Sequence, residues 1–169
     1  MLRSARSPGT TIRASRPIRA CPHEIYAFLA SLANHWSLAD EGVRLVRLND
    51  DGRGGLITIH GPVGLRRTAR MELRRMRAPE YLSGLARIGR RTRAHVSWRI
   101  AGQATIASVV LTATVVAAGP LDRALLAIGA RLWLRRRFER VLKRLDAELG
   151  APGDAIPPPI SITHLGGTR

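Results

Sequence analysis

Two kinds of hydrophobic periodicity divide the chain. Apolar and polar residues alternate over residues 10–20, and a short helical pattern follows over residues 22–32, where Ile25, Leu29 and Leu32 share one face. Several alternating runs then fill residues 43–116, and one long helical pattern covers residues 120–149. Because strands occupy the middle of the chain and the longest helix its end, this order predicts a sheet that curls around a terminal helix.

Turn residues separate the alternating runs between residues 43 and 116. Asparagine, aspartate, glycine and proline occur at 49–52, 61–62, 78–79, 89–90 and 101–102, which predicts six strands in a meander after the first strand. One parity of the third run is largely apolar, with Ala69, Met71 and Leu73, whereas the other parity carries Arg66 and Arg70. We therefore expect a sheet with one dry face.

The last two strand-like runs differ in how clearly apolar and polar residues alternate. Residues 94–100 alternate cleanly, with Ala94, Trp98 and Ile100 on one parity. Residues 104–116 lack this contrast, as expected of a central strand that is covered on much of both sides. We expect this strand to lie against the closing helix.

The closing helix has clear ends and two apolar stripes. Pro120 lies near its start and Gly150 just past its end, which is the usual asymmetry of helix termini. The first stripe comprises Leu121, Leu125, Ile128 and Leu132, and the second comprises Leu134, Phe138, Val141, Leu145 and Leu149. Since the stripes are rotated by roughly a third of a turn, we predict a bend or a change of packing partner near residues 132–136. Small residues on this helix, Ala124, Ala127, Gly129 and Ala130, could leave space against the sheet.

The chain length suits one domain with its own core, which we place at residues 10–149. Residues 1–9 and the Pro/Gly-rich residues 150–169 show no periodicity, and we expect both to be disordered tails. The single cysteine, Cys21, cannot form an internal disulfide, and neither a secretory signal nor a membrane span is recognisable. A cytoplasmic location is the resulting expectation.

Charge is the strongest deviation in composition. The chain has 28 basic and 12 acidic residues, a formal net charge of +16, and Lys143 is its only lysine. Such a charge favours anionic partners, although a solvated basic surface or a genomic preference for arginine would look the same. Aromatic residues make up only 4% of the chain, which disfavours a stacking platform for single-stranded nucleic acid.

Motifs of enzyme chemistry are missing from the sequence. The five histidines are scattered without the close pairing of a metal site, and no glycine-rich phosphate loop opens a helix. No nucleophile elbow surrounds a serine, and the paired carboxylates fall in turns. We therefore expect neither a metal nor a cofactor.

What remains is a set of side chains that could line a hydrophobic cavity. Such sites combine an apolar lining with a few hydroxyl, indole or ring nitrogen groups. His60 and Tyr81 are the candidates for proton transfer. The candidates for ligand contact are Tyr26, Trp36, Thr58, Met71, Trp98, Thr112, Leu125 and Gly129.

Three segments resemble the START-like, polyketide cyclase/dehydrase superfamily (SRPBCC). Residues 16–30, RPIRACPHEIYAFLA, resemble its opening strand and helix, and NHW at 34–36 and FERVLKRL at 138–145 look similar too. The resemblance covers about residues 10–149 and includes no catalytic motif. Cys21 and the high arginine content depart from the usual pattern.

The resemblance implies an α+β helix-grip fold. In this fold a curved antiparallel sheet of about seven strands wraps a long C-terminal helix, two short helices follow the first strand, and an elongated hydrophobic cavity remains between sheet and helix. Members bind lipids, sterols, polyketides or quinones; some cyclise polyketides, and some basic members associate with ribosomes. Because one fold hosts all these activities, the resemblance leaves the function open.

Three hypotheses follow. The first is a binder of a small hydrophobic molecule of lipid, polyketide or quinone type. The second is a polyketide cyclase or aromatase in which His60 or Tyr81 moves protons. The third is a basic adaptor for RNA, the ribosome or an anionic membrane, whose binding would weaken steeply with salt.

Overall fold

A computed structural model describes residues 9–39, 41–61 and 64–150. Seven strands form one antiparallel sheet in the order β1-β7-β6-β5-β4-β3-β2. The strands are β1 Thr10–Ile18, β2 Val43–Leu48, β3 Gly54–His60, β4 Arg66–Arg77, β5 Tyr81–Ile88, β6 Thr92–Gln103 and β7 Ile106–Ala117. Consecutive strands from β2 to β7 pair as hairpins, and β1 closes the order by pairing with β7. The tails expected at 1–9 and 150–169 lie almost wholly outside the described residues.

Two short helices follow β1, and a long helical region closes the chain. They are α1 Pro22–Ala30, α2 Leu32–Ser37, α3 Pro120–Leu125, a π-helical turn Leu126–Ala130 and α4 Arg131–Gly150. Pro22 occupies the first turn of α1, where its missing N–H costs nothing. The Glu24 carboxylate accepts a hydrogen bond from the Cys21 backbone N–H at 3.0 Å, which caps the helix. The predicted helix-grip α+β fold is confirmed.

Apolar and polar residues alternate along the strands, so the sheet has a buried, apolar inner face and a solvent-exposed outer face. In β4 Ala69 is buried while Arg66 and Arg70 are exposed, and in β6 Ala94 and Trp98 are buried on the same parity. The parity seen in the sequence therefore assigns these faces correctly. The core forms where the inner face meets α1 and α4, with Ile18, Ile25, Leu29, Leu82, Ile100, Leu142 and Leu145 fully buried.

The sequence predicts that the closing helix packs against the last strand, β7, but the structure shows a different partner. It packs chiefly on β1 and only to a small extent on β7. Asp146 of α4 accepts hydrogen bonds from the Arg16 guanidinium at 3.2 Å and from the Arg19 backbone N–H at 3.2 Å. Burial of Asp146 acts to raise its pKa, but these hydrogen bonds and the charges of both arginines outweigh burial and lower it. The link ties the end of the helix to the first strand.

The closing helix is interrupted, but before residues 132–136. Gly129 adopts φ +118° inside the π-helical turn, a conformation that glycine reaches because it has no Cβ. The second apolar stripe packs into the core beyond this break, whereas Leu121, Ile128 and Leu132 of the first stripe are exposed. Among the described residues, no helix is long and apolar enough to cross a membrane.

Candidate ligand-binding cavity

A cavity of about 250 Å³ lies between the inner face of the sheet and the helices. All seven strands contribute to one wall, with β1 and β2 supplying one residue each, and α2 and α4 supply the opposite side. Its apolar lining includes Ile57, Met71, Trp98, Leu111, Trp133 and Phe138. The arrangement is typical of a site for a small apolar molecule.

Small residues of the sheet leave this space open. Gly84, Ala86, Ala94 and Ala113 all line the cavity on neighbouring strands. A Cβ at Gly84 would lie 2.5 Å from the Glu72 carbonyl oxygen, so the backbone approach of β4 and β5 itself requires glycine there. The sequence pattern points to four small residues of the closing helix instead, and none of those four lines the cavity.

Trp36 belongs to the lining and carries a buried polar atom without a hydrogen-bond partner. Its indole Nε1 is buried and, among the described residues, is the one buried side-chain nitrogen or oxygen atom with no hydrogen-bond partner. A buried donor without an acceptor costs about 1–3 kcal/mol. A carbonyl, ether or hydroxyl oxygen of a bound molecule would remove this cost.

Arg137 brings a guanidinium group into the same lining. The residue is 7% exposed, stacks over the Trp133 ring at 5.0 Å from the centroid, and donates to the His60 carbonyl oxygen at 3.4 Å. Burial of a cation in apolar surroundings requires such compensation. Arg137 is not among the ligand contacts predicted from the sequence. Its position, next to Phe138 and three residues after Leu134, is the signal that could have placed it beside the buried stripe.

His35 is a further polar group of the lining, and it is absent from the contacts predicted from the sequence. Its Nε2 donates to the Leu29 carbonyl oxygen at 2.7 Å, and its ring meets Trp98 edge to face, with centroids 5.7 Å apart. Because a carbonyl oxygen only accepts, Nε2 carries the hydrogen. Burial lowers the pKa of His35, which keeps the imidazole neutral at neutral pH.

The structure brings together three of the eight predicted ligand contacts. Trp36, Met71 and Trp98 line the cavity. Thr58 pairs with Thr68 on the outer parity of the sheet, and Thr112 pairs with Ser97 there, so neither hydroxyl belongs to the lining.

The other three predicted contacts belong to helical segments. Tyr26 of α1 packs partly buried against the core. Leu125 ends α3 and Gly129 sits in the π-helical turn; neither they nor Tyr26 lines the cavity.

The two candidates for proton transfer lie apart from the cavity and from each other. His60 is exposed at the end of β3, and it is its backbone carbonyl that contacts Arg137. Tyr81 lines a separate open groove of about 1320 Å³ beside Arg77 and Arg99, at the opposite end of β5 from Ile88. The geometry therefore offers no pair of these groups facing one substrate. Within the described ranges, no three His, Cys, Asp or Glu side chains group as metal ligands would.

Solved structures with the same architecture support the fold assignment. A protein from Thermus thermophilus aligns at TM-score 0.63 with 19% identity, covering 86% of this chain and 100% of its own. A conserved protein of Geobacillus kaustophilus aligns at TM-score 0.64 with 12% identity, covering 83% and 95%. A START superfamily protein of Mycobacterium smegmatis aligns at TM-score 0.59 with 10% identity, covering 84% and 98%. No family model and no curated protein matches the sequence. At these identities the likeness shows a START-like fold.

Proposed function

We propose that this protein binds a small hydrophobic molecule in the cavity between sheet and closing helix. The observation that carries the proposal is the cavity itself, about 250 Å³ of mostly apolar surroundings within a START-like fold. An apolar cavity of about 150 Å³ holds benzene, so this volume suits a ligand of about ten non-hydrogen atoms. Burial of its apolar surface would supply most of the affinity.

The polar groups of the lining narrow the ligand class. Trp36 Nε1 offers a donor, and Arg137 offers a cationic group that is held in place by Trp133. A matching ligand has an apolar body and at least one oxygen acceptor, as lipid-, polyketide- and quinone-type molecules do. The acceptor would fix the orientation of the body in the cavity.

Filling the cavity with protein tests the proposal. Ala86→Leu should occupy space between sheet and helix and reduce binding of medium-chain acyl or quinone probes about tenfold or more. The control is Ala101→Leu, at an exposed position of β6 outside the cavity, which should bind as the unchanged protein does. Native mass spectrometry and fluorescence titration report the binding. If the unchanged protein carries no apolar molecule and shows no saturable binding, the proposal fails.

Removing the indole donor tests the acceptor. Trp36→Phe keeps an aromatic ring and deletes Nε1, so affinity for a quinone should fall about fivefold to tenfold while affinity for a hydrocarbon of similar shape stays unchanged. Equal losses for both probes would show that the ring contributes shape alone.

A second candidate function rests on the outer face of the sheet. The strand register aligns four arginines across the sheet. Arg93 of β6 lies opposite Arg87 of β5, which lies opposite Arg70 of β4. Leu56 of β3 separates Arg70 from Arg47 of β2. The four arginines form one row of about 19 Å at the usual strand spacing. All four are exposed, and none takes part in the ion pairs found among the described residues.

We infer that this row binds the phosphate backbone of structured RNA. Like charges on directly opposite strands destabilise a sheet, and a polyanion would relieve that repulsion. Arginine also forms paired hydrogen bonds with phosphate, and the low aromatic content favours a backbone contact over base stacking.

The salt dependence of RNA binding tests this second candidate. Replacing Arg70, Arg87 and Arg93 by glutamine should lower the slope of log K against log salt by about 0.9 for each lost phosphate contact. The control with equal charge change replaces Arg131, Arg135 and Arg136 on α4. Equal losses in both variants would indicate attraction by net charge alone.

The cyclase hypothesis stays a prediction, because no observed geometry favours it. His60 and Tyr81 lie outside the cavity, so a proton transfer to a cavity-bound polyketide would need other groups.

A further inference from the structure

The start of the closing helical region presents apolar side chains to solvent. Leu121 is 52% exposed, Ile128 80% and Leu132 55%, all within twelve residues of chain. Single exposed leucines are ordinary on protein surfaces, but three large aliphatic side chains within twelve residues mark an interaction surface. We call residues 120–132 the exposed helical segment.

Arginines lie within this segment and beside its start. Arg123 and Arg131 are exposed within it, and the Arg91 side chain adjoins Gly119 at its start. Asp122 is the only acidic residue between Glu80 and Glu139. Its carboxylate accepts hydrogen bonds from the Arg67 guanidinium and the Thr92 hydroxyl, so its charge is compensated within the protein. The segment thus combines apolar side chains with uncompensated positive charge.

The exposed helical segment also adjoins the cavity. Thr92 lines the cavity and accepts a hydrogen bond from the Gly119 N–H at 3.0 Å, directly before the segment begins. Trp133 and Leu134, which follow its last residue, line the cavity as well. Both ends of the segment are therefore anchored at cavity-lining residues.

We propose that the exposed helical segment docks on an anionic lipid surface. Helices that lie in the membrane interface combine an apolar face with arginine and lysine near the lipid headgroups. A second copy of this chain fits less well, because the two arginine rims would repel each other. Three aliphatic side chains also fall well short of the roughly 800 Å² per partner that a standard protein interface buries. Charge complementarity thus favours phospholipid headgroups.

Docking in this position would bring the cavity close to the bilayer. A hydrophobic ligand could then pass between membrane and cavity with little exposure to water. Vesicle binding and ligand binding are separate measurements, so either one can fail without the other.

Vesicle sedimentation tests the docking surface directly. The full chain should bind vesicles of phosphatidylcholine mixed with phosphatidylglycerol and bind vesicles of phosphatidylcholine alone much more weakly. Ile128→Glu and Leu132→Glu should each weaken binding to the mixed vesicles about tenfold or more, because each replaces a membrane-contacting aliphatic group by an anion. Both positions are exposed, and circular dichroism should show unchanged folding.

The matched control is Ile106→Glu. Ile106 is 56% exposed and starts β7, about 35 Å along that strand from the exposed helical segment. This variant makes the same charge change and should bind mixed vesicles as well as the unchanged protein does. Equal weakening in all three variants would overturn the proposal, since net charge alone would explain binding. Absence of vesicle binding, or a dimer in analytical ultracentrifugation that Ile128→Glu dissociates, would also overturn it.

Discussion

The two halves of the closing helical region carry apolar stripes of similar spacing, but one stripe is exposed to solvent and the other is buried. In the first half Leu121 and Ile128 face solvent, as does Leu132, three residues after the break at Gly129. In the second half Leu142 and Leu145 are fully buried against the core that β1 and α1 complete. Stripe spacing alone therefore reports an amphipathic helix and leaves open which partner covers it.

The difference arises from what each half packs against. The second half packs along β1 and is tied to it through Asp146, and it reaches the end of α2 through the hydrogen bond from Arg144 to the Ala39 carbonyl oxygen. The first half is held to the sheet through Asp122 and is separated from the second by the break at Gly129. The break lets the first half leave the direction of α4.

Truncation of one leucine in each half should give the largest contrast. Leu145→Ala should lower the free energy of unfolding by about 2–5 kcal/mol, because it opens a cavity in the core. Leu121→Ala removes the same atoms from an exposed site and should change stability by less than about 0.5 kcal/mol. Urea denaturation measures both. A large loss for Leu121→Ala would show that the first half is covered in solution.

Removal of the Asp122 carboxylate should loosen the first half of the closing helical region and leave the second half unaffected. Asp122→Ala deletes the acceptor for Arg67 and Thr92 and should cost about 1–3 kcal/mol locally. Hydrogen exchange should accelerate over residues 120–130 and stay slow in α4. Glu72→Ala, which breaks an exposed ion pair with Arg74, is the control and should cost less than about 1 kcal/mol. Equal acceleration in both halves would contradict their independence.

A side chain at the break should have a moderate effect. Gly129→Ala forces an L-residue to φ +118°, and the expected cost is about 1–2 kcal/mol. A Cβ there would meet no atom within 4 Å, so backbone conformation and not crowding sets the cost. Thermal denaturation of the variant measures it. A stabilised variant would indicate that the two halves prefer one continuous helix.

Acidification should lower the stability of the whole fold slightly, through the buried His35 of α2. Burial lowers the pKa of His35 below its ordinary 6.5, so the unfolded chain takes up the proton first. Stability should therefore fall as pH drops below about 6.5 and should recover as pH rises. His35→Phe should flatten this dependence, and His95→Phe, at an exposed position, should leave it intact. Urea denaturation of both variants at pH 7.5 and pH 5 measures this pH dependence.

Local patterns in the chain are sufficient to predict the secondary-structure elements and the two faces of the sheet. Side chains of a strand alternate strictly, so the parity of Ala69, Ala94 and Trp98 was enough to predict which side is dry. Proline and glycine at the ends of the closing region likewise predict a helical region over residues 120–149, and the structure ends it one residue later, at Gly150. These are local properties of the chain, and they are readable without a partner.

Tertiary structure decided which surfaces meet and what they leave open. The space in the cavity comes from small residues on different strands, which only the sheet register brings together. Arg137 enters the lining because of how the helix crosses the sheet, and Thr58 stays outside it because the strand register pairs it with Thr68 on the outer face. Contacts between segments that are distant in sequence leave no periodic signal in the hydrophobic pattern. For that reason the sequence pattern does not predict them.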